Sequence, residues 1–347
     1  MRTRVAMGVG SALLLTASLG VAQNAFDKEL GTDVNALVEK VNFDMSGWGK
    51  VDGMKSGKGQ IPYLGALGHP PKRVALVSFY AYDPGNTKGF GSPYFGGRSE
   101  VTRQISPDGA GLVATLLHDQ GIAALKEALG ASGMQLLTPD EFLDTDAKRE
   151  LYDNFVLDIG VGAKFALFAE SSGKENKLNK ASRLSVVAPG YRLFRLVYGE
   201  TGRPMQQGDK KISVSLGYDL ARALEVDATL VICNLCKATK KEGSLEAVYF
   251  YLFGPNGVPG DMEAFTYWPG HLYVGLRLDK LGIAMLEFGK AEKKSTTYSG
   301  GDSSFRSDTL SEAGIVSVDF AGYERILAAL GKKAGTFMQE RTTKAKD

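Results

Sequence analysis

The chain has 347 residues, 44% hydrophobic and 10% aromatic, which is enough apolar material for one large domain or two smaller ones and excludes global disorder. Lysine and arginine total 41 against 39 aspartate and glutamate, a balance that creates no field favouring nucleic acid or an anionic membrane as partner. The 43 glycines mark a loop-rich chain without low-complexity character.

The amino terminus reads as an export signal. Arg2 and Arg4 supply a positive n-region, Val5 to Leu19 an apolar stretch, and Gly20-Val21-Ala22 a small-residue cleavage pattern. Residues 1–22 are thus expected to be removed, leaving a mature chain that begins near Gln23 and works in the bacterial periplasm or outside the cell. The alternative is a retained anchor, but the run from Val5 to Ala22 is interrupted by Gly8, Gly10 and Gly20 and barely reaches the ~20 residues of a spanning helix. No cysteine follows the cleavage pattern, so a lipoprotein anchor is excluded, and no later stretch approaches a membrane span.

Residues 23–69 read as an extension and glycine-rich linker, with one short amphipathic helix over Thr32 to Val41, capped by Thr32 or Asp33. Residues 70–340 read as an α/β domain and 341–347 as a basic tail. Arg73 to Phe79 is a continuous apolar run of the kind found in buried central strands. A long Gly/Tyr/Phe loop is expected after it. Leu112, Leu116, Leu117, Ile122, Leu125 and Leu129 recur at helical spacing, with Gly130 placed as a C-cap. Met134 to Leu137 predicts a short strand, and Thr138-Pro139-Asp140-Glu141 opens another helix.

Ala163 to Glu170 and Ser185 to Tyr198 predict strands, Tyr218 to Glu225 a short helix, and Ala228 to Cys233 a buried strand. Glu246 to Phe253 predicts the next strand. His271 to Asp279 and Ile283 to Glu292 fit a C-terminal hairpin. Ile315 to Phe320 predicts the last strand, before a long terminal helix whose inner face is Tyr323, Leu327, Leu330, Ala334 and Phe337. The expected fold is α/β, a mixed sheet with flanking helices.

Arg73 to Phe79, the helix from Gly109 to Leu129, and Leu220 to Val231 followed by the strand Glu246 to Phe253 resemble the α/β domain shared by the curli-secretion channel subunit CsgG and the amino-terminal domain of the TolB envelope protein. About half the chain carries the resemblance. It implies a non-catalytic envelope component that binds another envelope protein or self-associates, and it brings no catalytic residues. The chain departs from that pattern in lacking a lipobox cysteine and the repeats of a following β-propeller. Arg277, Asp279 and Lys280 also interrupt the stretch that a membrane hairpin would need to keep apolar.

Candidate chemistry is sparse. Cys233 and Cys236 form a CxxC that follows a strand instead of opening a helix, and Lys237 replaces the histidine of a haem attachment. Structural thiols, a disulfide and a redox pair are the three readings. In an extended strand the two positions lie ~10 Å apart on opposite faces, so a disulfide needs the strand to end at Cys233. His69, His118 and His271 fall in no metal-ligand spacing, and no nucleophile elbow marks a hydrolase, although a site assembled from distant residues would leave no motif. No metal or cofactor is expected. Recognition is the best remaining role: Tyr80, Tyr82, Phe90, Tyr94, Phe95 and Arg98 are interleaved with glycines after the first strand, and Trp268 and His271 lie in a second aromatic stretch. The competing class is a periplasmic enzyme, a thiol oxidoreductase or a hydrolase.

Overall fold

The computed structural model describes residues 33–40, 71–90, 99–159, 184–198, 203–204, 210–239, 242–254, 270–277, 284–288, 293–300, 303–310, 315–318 and 320–344. The expected strand at 163–170 lies outside them. Helix α1 (Val34–Lys40) starts where the Asp33 carboxylate accepts the Asn35 N–H at 2.8 Å, and Leu37 is buried in the main core.

Strand β1 (Arg73–Asp83) runs four residues beyond the apolar stretch seen in sequence, and every residue from Val74 to Asp83 is buried. Both faces are covered, so continuous apolarity replaces alternation. Against its neighbour the register slips between Leu76 and Ser78. This bulge resets the phase: Leu76, Phe79 and Ala81 belong to one core layer, and Val77, Tyr80 and Tyr82 to the other. Tyr80 and Tyr82 are therefore strand residues in the core, not the start of an exposed loop.

The segment expected to be a loop continues instead into the antiparallel strands β2 (Asn86–Phe90) and β3 (Ser99–Ile105). Helix α2 (Pro107–Gly130) follows directly, its first turn capped by the Ser106 hydroxyl, which accepts the Gly109 N–H at 3.1 Å. Gly130 is the last helical residue, and the left-handed residue that ends the turn is Gly133, with φ +77. The buried face of α2 rests more on Gly109, Ala110, Val113, Ala114, Gly121 and Ala128 than on the leucines, because leucine spacing marks the face but small residues set how closely it packs.

Strand β4 (Gln135–Leu137) leads to α3 (Pro139–Phe142), opened by a capping box in which Thr138 and Glu141 satisfy each other's backbone ends. Next come α4 (Asp146–Asn154) and β5 (Leu184–Val187). The long strand expected over Ser185 to Tyr198 is broken by a turn at residues 189–190, where Gly190 has φ +83, and ends in the short pair β6 (Val197–Tyr198) with β7 (Arg203–Pro204). The short helix expected at Tyr218 begins earlier, as α5 (Lys210–Val214), a π-helical stretch Ser215–Leu220, and α6 (Ala221–Ala223).

Strands β8 (Ala228–Ala238) and β9 (Glu242–Gly254) are both longer than their apolar cores. Strands β10 (Gly270–Arg277) and β11 (Ala284–Phe288) are not paired to each other as expected; both flank β9, β10 along Ala247 to Gly254 and β11 along Glu242 to Ser244. The C-terminal hairpin is made by the next two strands, β12 (Lys293–Gly300) and β13 (Ser303–Leu310). Strand β14 (Ile315–Val318) and helix α7 (Tyr323–Lys344) complete the chain.

The fold is α/β. Its main sheet is mixed and runs β14-β11-β9-β8-β1-β4, with β10 beside β9 and β5 beside β1; β8 and β4 are parallel to β1, and the other pairs are antiparallel. Helices α1, α2 and α7 share a core with one face, and α3, α4, α5, the π-helical stretch and α6 share one with the other. A second sheet, β12-β13-β3-β2, joins the two hairpins through a parallel β13–β3 pair.

Candidate functional site

Of the residues singled out for recognition, Tyr80 and Tyr82 are core residues of β1. Tyr82 is fully buried in β1, where the Arg195 guanidinium lies 4.9 Å from its ring centroid and donates to its hydroxyl at 3.1 Å. Tyr80 is equally buried, and its hydroxyl accepts the Leu196 N–H at 3.0 Å. These contacts hold residues 195–197 over the sheet and leave neither ring for a partner. Tyr94, Phe95, Arg98 and Trp268 lie outside the described residues. His271 is in β10, opposite Phe253 of β9.

The CxxC belongs to the core. Strand β8 does not end at Cys233 but continues through Cys236, with Cys233 in one core layer and Cys236 in the other. Both are free thiols. The strand therefore sends them to opposite faces of the sheet, and the condition for a disulfide between them is not met. Burial pushes the Cys233 thiol up to about 12, against a smaller opposing pull from its hydrogen bond with Tyr80. Burial, reinforced by the charge of Asp83, also raises Cys236. A redox cysteine needs the reverse, a thiolate favoured near neutrality and open to attack. Ellman's reagent is expected to leave both thiols unmodified in the native protein and to modify both after denaturation; native-state reaction of either would contradict this placement.

Further polar groups in the sheet are satisfied internally. The Tyr323 hydroxyl donates to Asn234 Oδ1 at 2.6 Å, and Asn234 Nδ2 donates to the Tyr80 carbonyl at 3.3 Å, tying α7 through β8 to β1. His118 on α2 pairs Nε2 with the Tyr191 hydroxyl at 2.9 Å and Nδ1 with Asp119 at 3.1 Å, and its ring meets Phe79 edge-on. The Asp-His-Tyr order resembles a relay, but burial raises the Tyr191 hydroxyl far above neutrality, so it stays protonated and serves as a clamp. Among the described residues no group of three or more acidic, histidine or cysteine side chains could hold a metal ion, and no helix is long and apolar enough to cross a membrane.

What the sequence reading missed is the second sheet. Among the described residues its outer strands, β12 and β2, each pair on one side only. One signal could have found half of it: Gly300-Gly301-Asp302 separates two Ser/Thr-rich runs, a hairpin pattern. Through their antiparallel partners and the parallel β13–β3 pair, β12 and β2 run in the same direction. A two-fold axis beside either edge would thus create an antiparallel strand pair, and a head-to-tail arrangement a parallel one.

No family model, curated protein or solved structure significantly matches the chain.

Proposed function

We propose that this chain is an exported component of the bacterial envelope that works by association, through the edge of its second sheet, with a second copy of itself. The observation carrying this reading is the β12 edge. It offers eight residues, Lys-Lys-Ser-Thr-Thr-Tyr-Ser-Gly, without proline and with three strand-favouring residues, Thr296, Thr297 and Tyr298, at its centre. Antiparallel pairing of two β12 strands about the midpoint between Thr296 and Thr297 sets Lys293 and Lys294 opposite Gly300 and Ser299 of the second copy. That register avoids like charges in direct opposition, which would destabilise it. The signal-like amino terminus supports an envelope location, and the buried thiols support binding over thiol redox chemistry.

Light scattering of the mature protein at micromolar concentrations is expected to report a dimer. Successive residues of an antiparallel strand direct their N–H groups to opposite sides, so of Thr296→Pro and Thr297→Pro one removes an outward donor and the other a donor to β13. The first is expected to abolish dimers with little change in Tm, and the second to lower Tm. A monomer at every concentration overturns self-association and leaves a foreign strand as occupant, whereas dimers surviving both substitutions overturn the β12 edge as the interface. Export is checked in the same material: the periplasmic chain should begin near Gln23, and an intact Met1 in membranes would refute it.

A further inference from the structure

After β5 the chain turns at residues 189–190, where Gly190 has φ +83, and lies back over β1, with Phe194, Leu196 and Val197 in the same core layer as Val77, Tyr80 and Tyr82. Three N–H groups along this stretch each donate to a side-chain hydroxyl. Arg192 donates to Tyr152 Oη at 2.9 Å, Phe194 to Ser78 Oγ at 3.2 Å, and Leu196 to Tyr80 Oη at 3.0 Å. The step of two residues is that of an extended chain, whose alternate N–H groups share one side. Hydroxyls thus stand where a neighbouring strand would offer carbonyls.

We propose that residues 192–197 form a strap that opens as one unit about Gly190 and uncovers Ser78, Tyr80 and Tyr82 while the main sheet stays paired. Neither the self-association reading nor the export reading enters this inference. The strap can leave without breaking the sheet because its acceptors are side chains: β1 keeps its ladders to β4, β5 and β8. The near end stays anchored, since the Ala188 N–H donates to the Phe79 carbonyl at 2.9 Å. Among the described residues β6, at the far end, pairs with β7 alone.

The same contacts make the opening concerted. Phe194 and Leu196 are each 2% exposed, and their burial keeps the strap closed most of the time. Ser78 and Tyr80 beneath it are fully buried. An N–H that let go by itself in this dry layer would remain buried without an acceptor, which costs more than the bond contributes when made. Leaving together brings water to all three. Guanidinium groups hold the stretch from its sides: Arg192 donates to the Phe155 carbonyl at 2.8 Å, and Arg195 donates to Tyr82 Oη at 3.1 Å and to the Val197 carbonyl at 3.0 Å.

The test is native-state amide hydrogen exchange of the full mature chain at fixed pH, over rising but sub-denaturing urea. Arg192, Phe194 and Leu196 are expected to share one opening free energy and one urea slope, both smaller than those of Leu230 and Ile232 in β8, which is paired on both sides. Ser78→Ala removes the acceptor of Phe194 alone, yet it should speed exchange about tenfold at all three amides. Acceleration confined to Phe194, or three unrelated opening energies, would mean independent fluctuations and overturns the strap. Opening energies and slopes equal to those in β8 would mean that the stretch is released only by global unfolding, and they overturn it as well. Should Ser78→Ala fail to fold, the wild-type energies and slopes decide by themselves. Each of these results is obtained whether the protein is a monomer or a dimer.

Discussion

Replacing Tyr152 by alanine should lower the free energy of unfolding by about 4 kcal/mol, and replacing it by phenylalanine by about 2 kcal/mol. Two separable contributions meet in this side chain. Its ring is buried between Phe142 and Phe194, with centroids 5.6 and 6.1 Å away and both contacts edge-on. Its hydroxyl donates to the Val77 carbonyl at 2.6 Å and accepts the Arg192 N–H at 2.9 Å. Val77 is the residue skipped in the register between β1 and β8, so the bulge that places Tyr80 and Tyr82 in the core also leaves a carbonyl for Tyr152 to engage. Burial raises the phenol to about 12, which keeps it a proton donor at neutral pH.

Arg192 completes the arrangement from outside. Its guanidinium lies 5.9 Å from the Tyr152 ring centroid and donates to the carbonyls of Tyr152 and Phe155, the latter at 2.8 Å. Phenylalanine at 152 would retain the ring contacts but strand one buried acceptor and one donor, whereas alanine would lose both contributions and leave a cavity. Urea denaturation of the two variants separates them. Equal losses would show that ring packing contributes nothing beyond the hydroxyl, contrary to this account.

The parts of this fold legible in sequence are those whose burial is expressed in side-chain pattern. The apolar runs in β1, β8 and β9 declare strands covered on both faces, and Thr138-Pro139 declares a helix start because the cap and the fixed proline φ act locally. The ends of the same strands were not legible. Tyr80 and Tyr82 sit among glycines and polar residues on their carboxyl side, and it is pairing with β5 and β8, together with the contacts to Arg195 and Leu196, that carries the strand onward into the core. A register skip at Val77 cannot be read from periodicity, since it reverses the phase midway.

The second sheet was less legible still. Strands β12 and β13 are rich in serine and threonine and present no apolar alternation, and β13 pairs with β3 from far earlier in the chain. Distant pairing of polar strands leaves no local signature. The candidate association surface was missed for the same reason: a sheet edge offers backbone N–H and C=O groups, which every sequence possesses, instead of a distinctive set of side chains.

Gly121→Leu should destabilise the protein by about 3 kcal/mol, more than leucine's better helix propensity, under 1 kcal/mol, can offset. A Cβ at this position in α2 would lie 2.5 Å from Leu327 Cδ1 and 2.7 Å from Tyr323 Cε1 on α7, well inside ordinary contact. Neither neighbour can easily yield. Tyr323 is fully buried and held by its 2.6 Å bond to Asn234, and Leu327 is fully buried. One turn or more away the same closeness recurs, where a Cβ on Gly331 would lie 3.0 Å from the Ala128 Cβ, so the helices cannot simply rock apart about Gly121. Shortening the opposing residue supplies the control: Leu327→Ala alone opens a cavity and should cost about 3 kcal/mol, yet combined with Gly121→Leu the new side chain occupies that space. The double variant is expected to be more stable than the sum of the two single losses predicts, by 1 kcal/mol or more on the scale of coupled neighbours. Strict additivity in thermal and urea unfolding would show that α2 and α7 are not locked at this crossing and would refute the close-packing account.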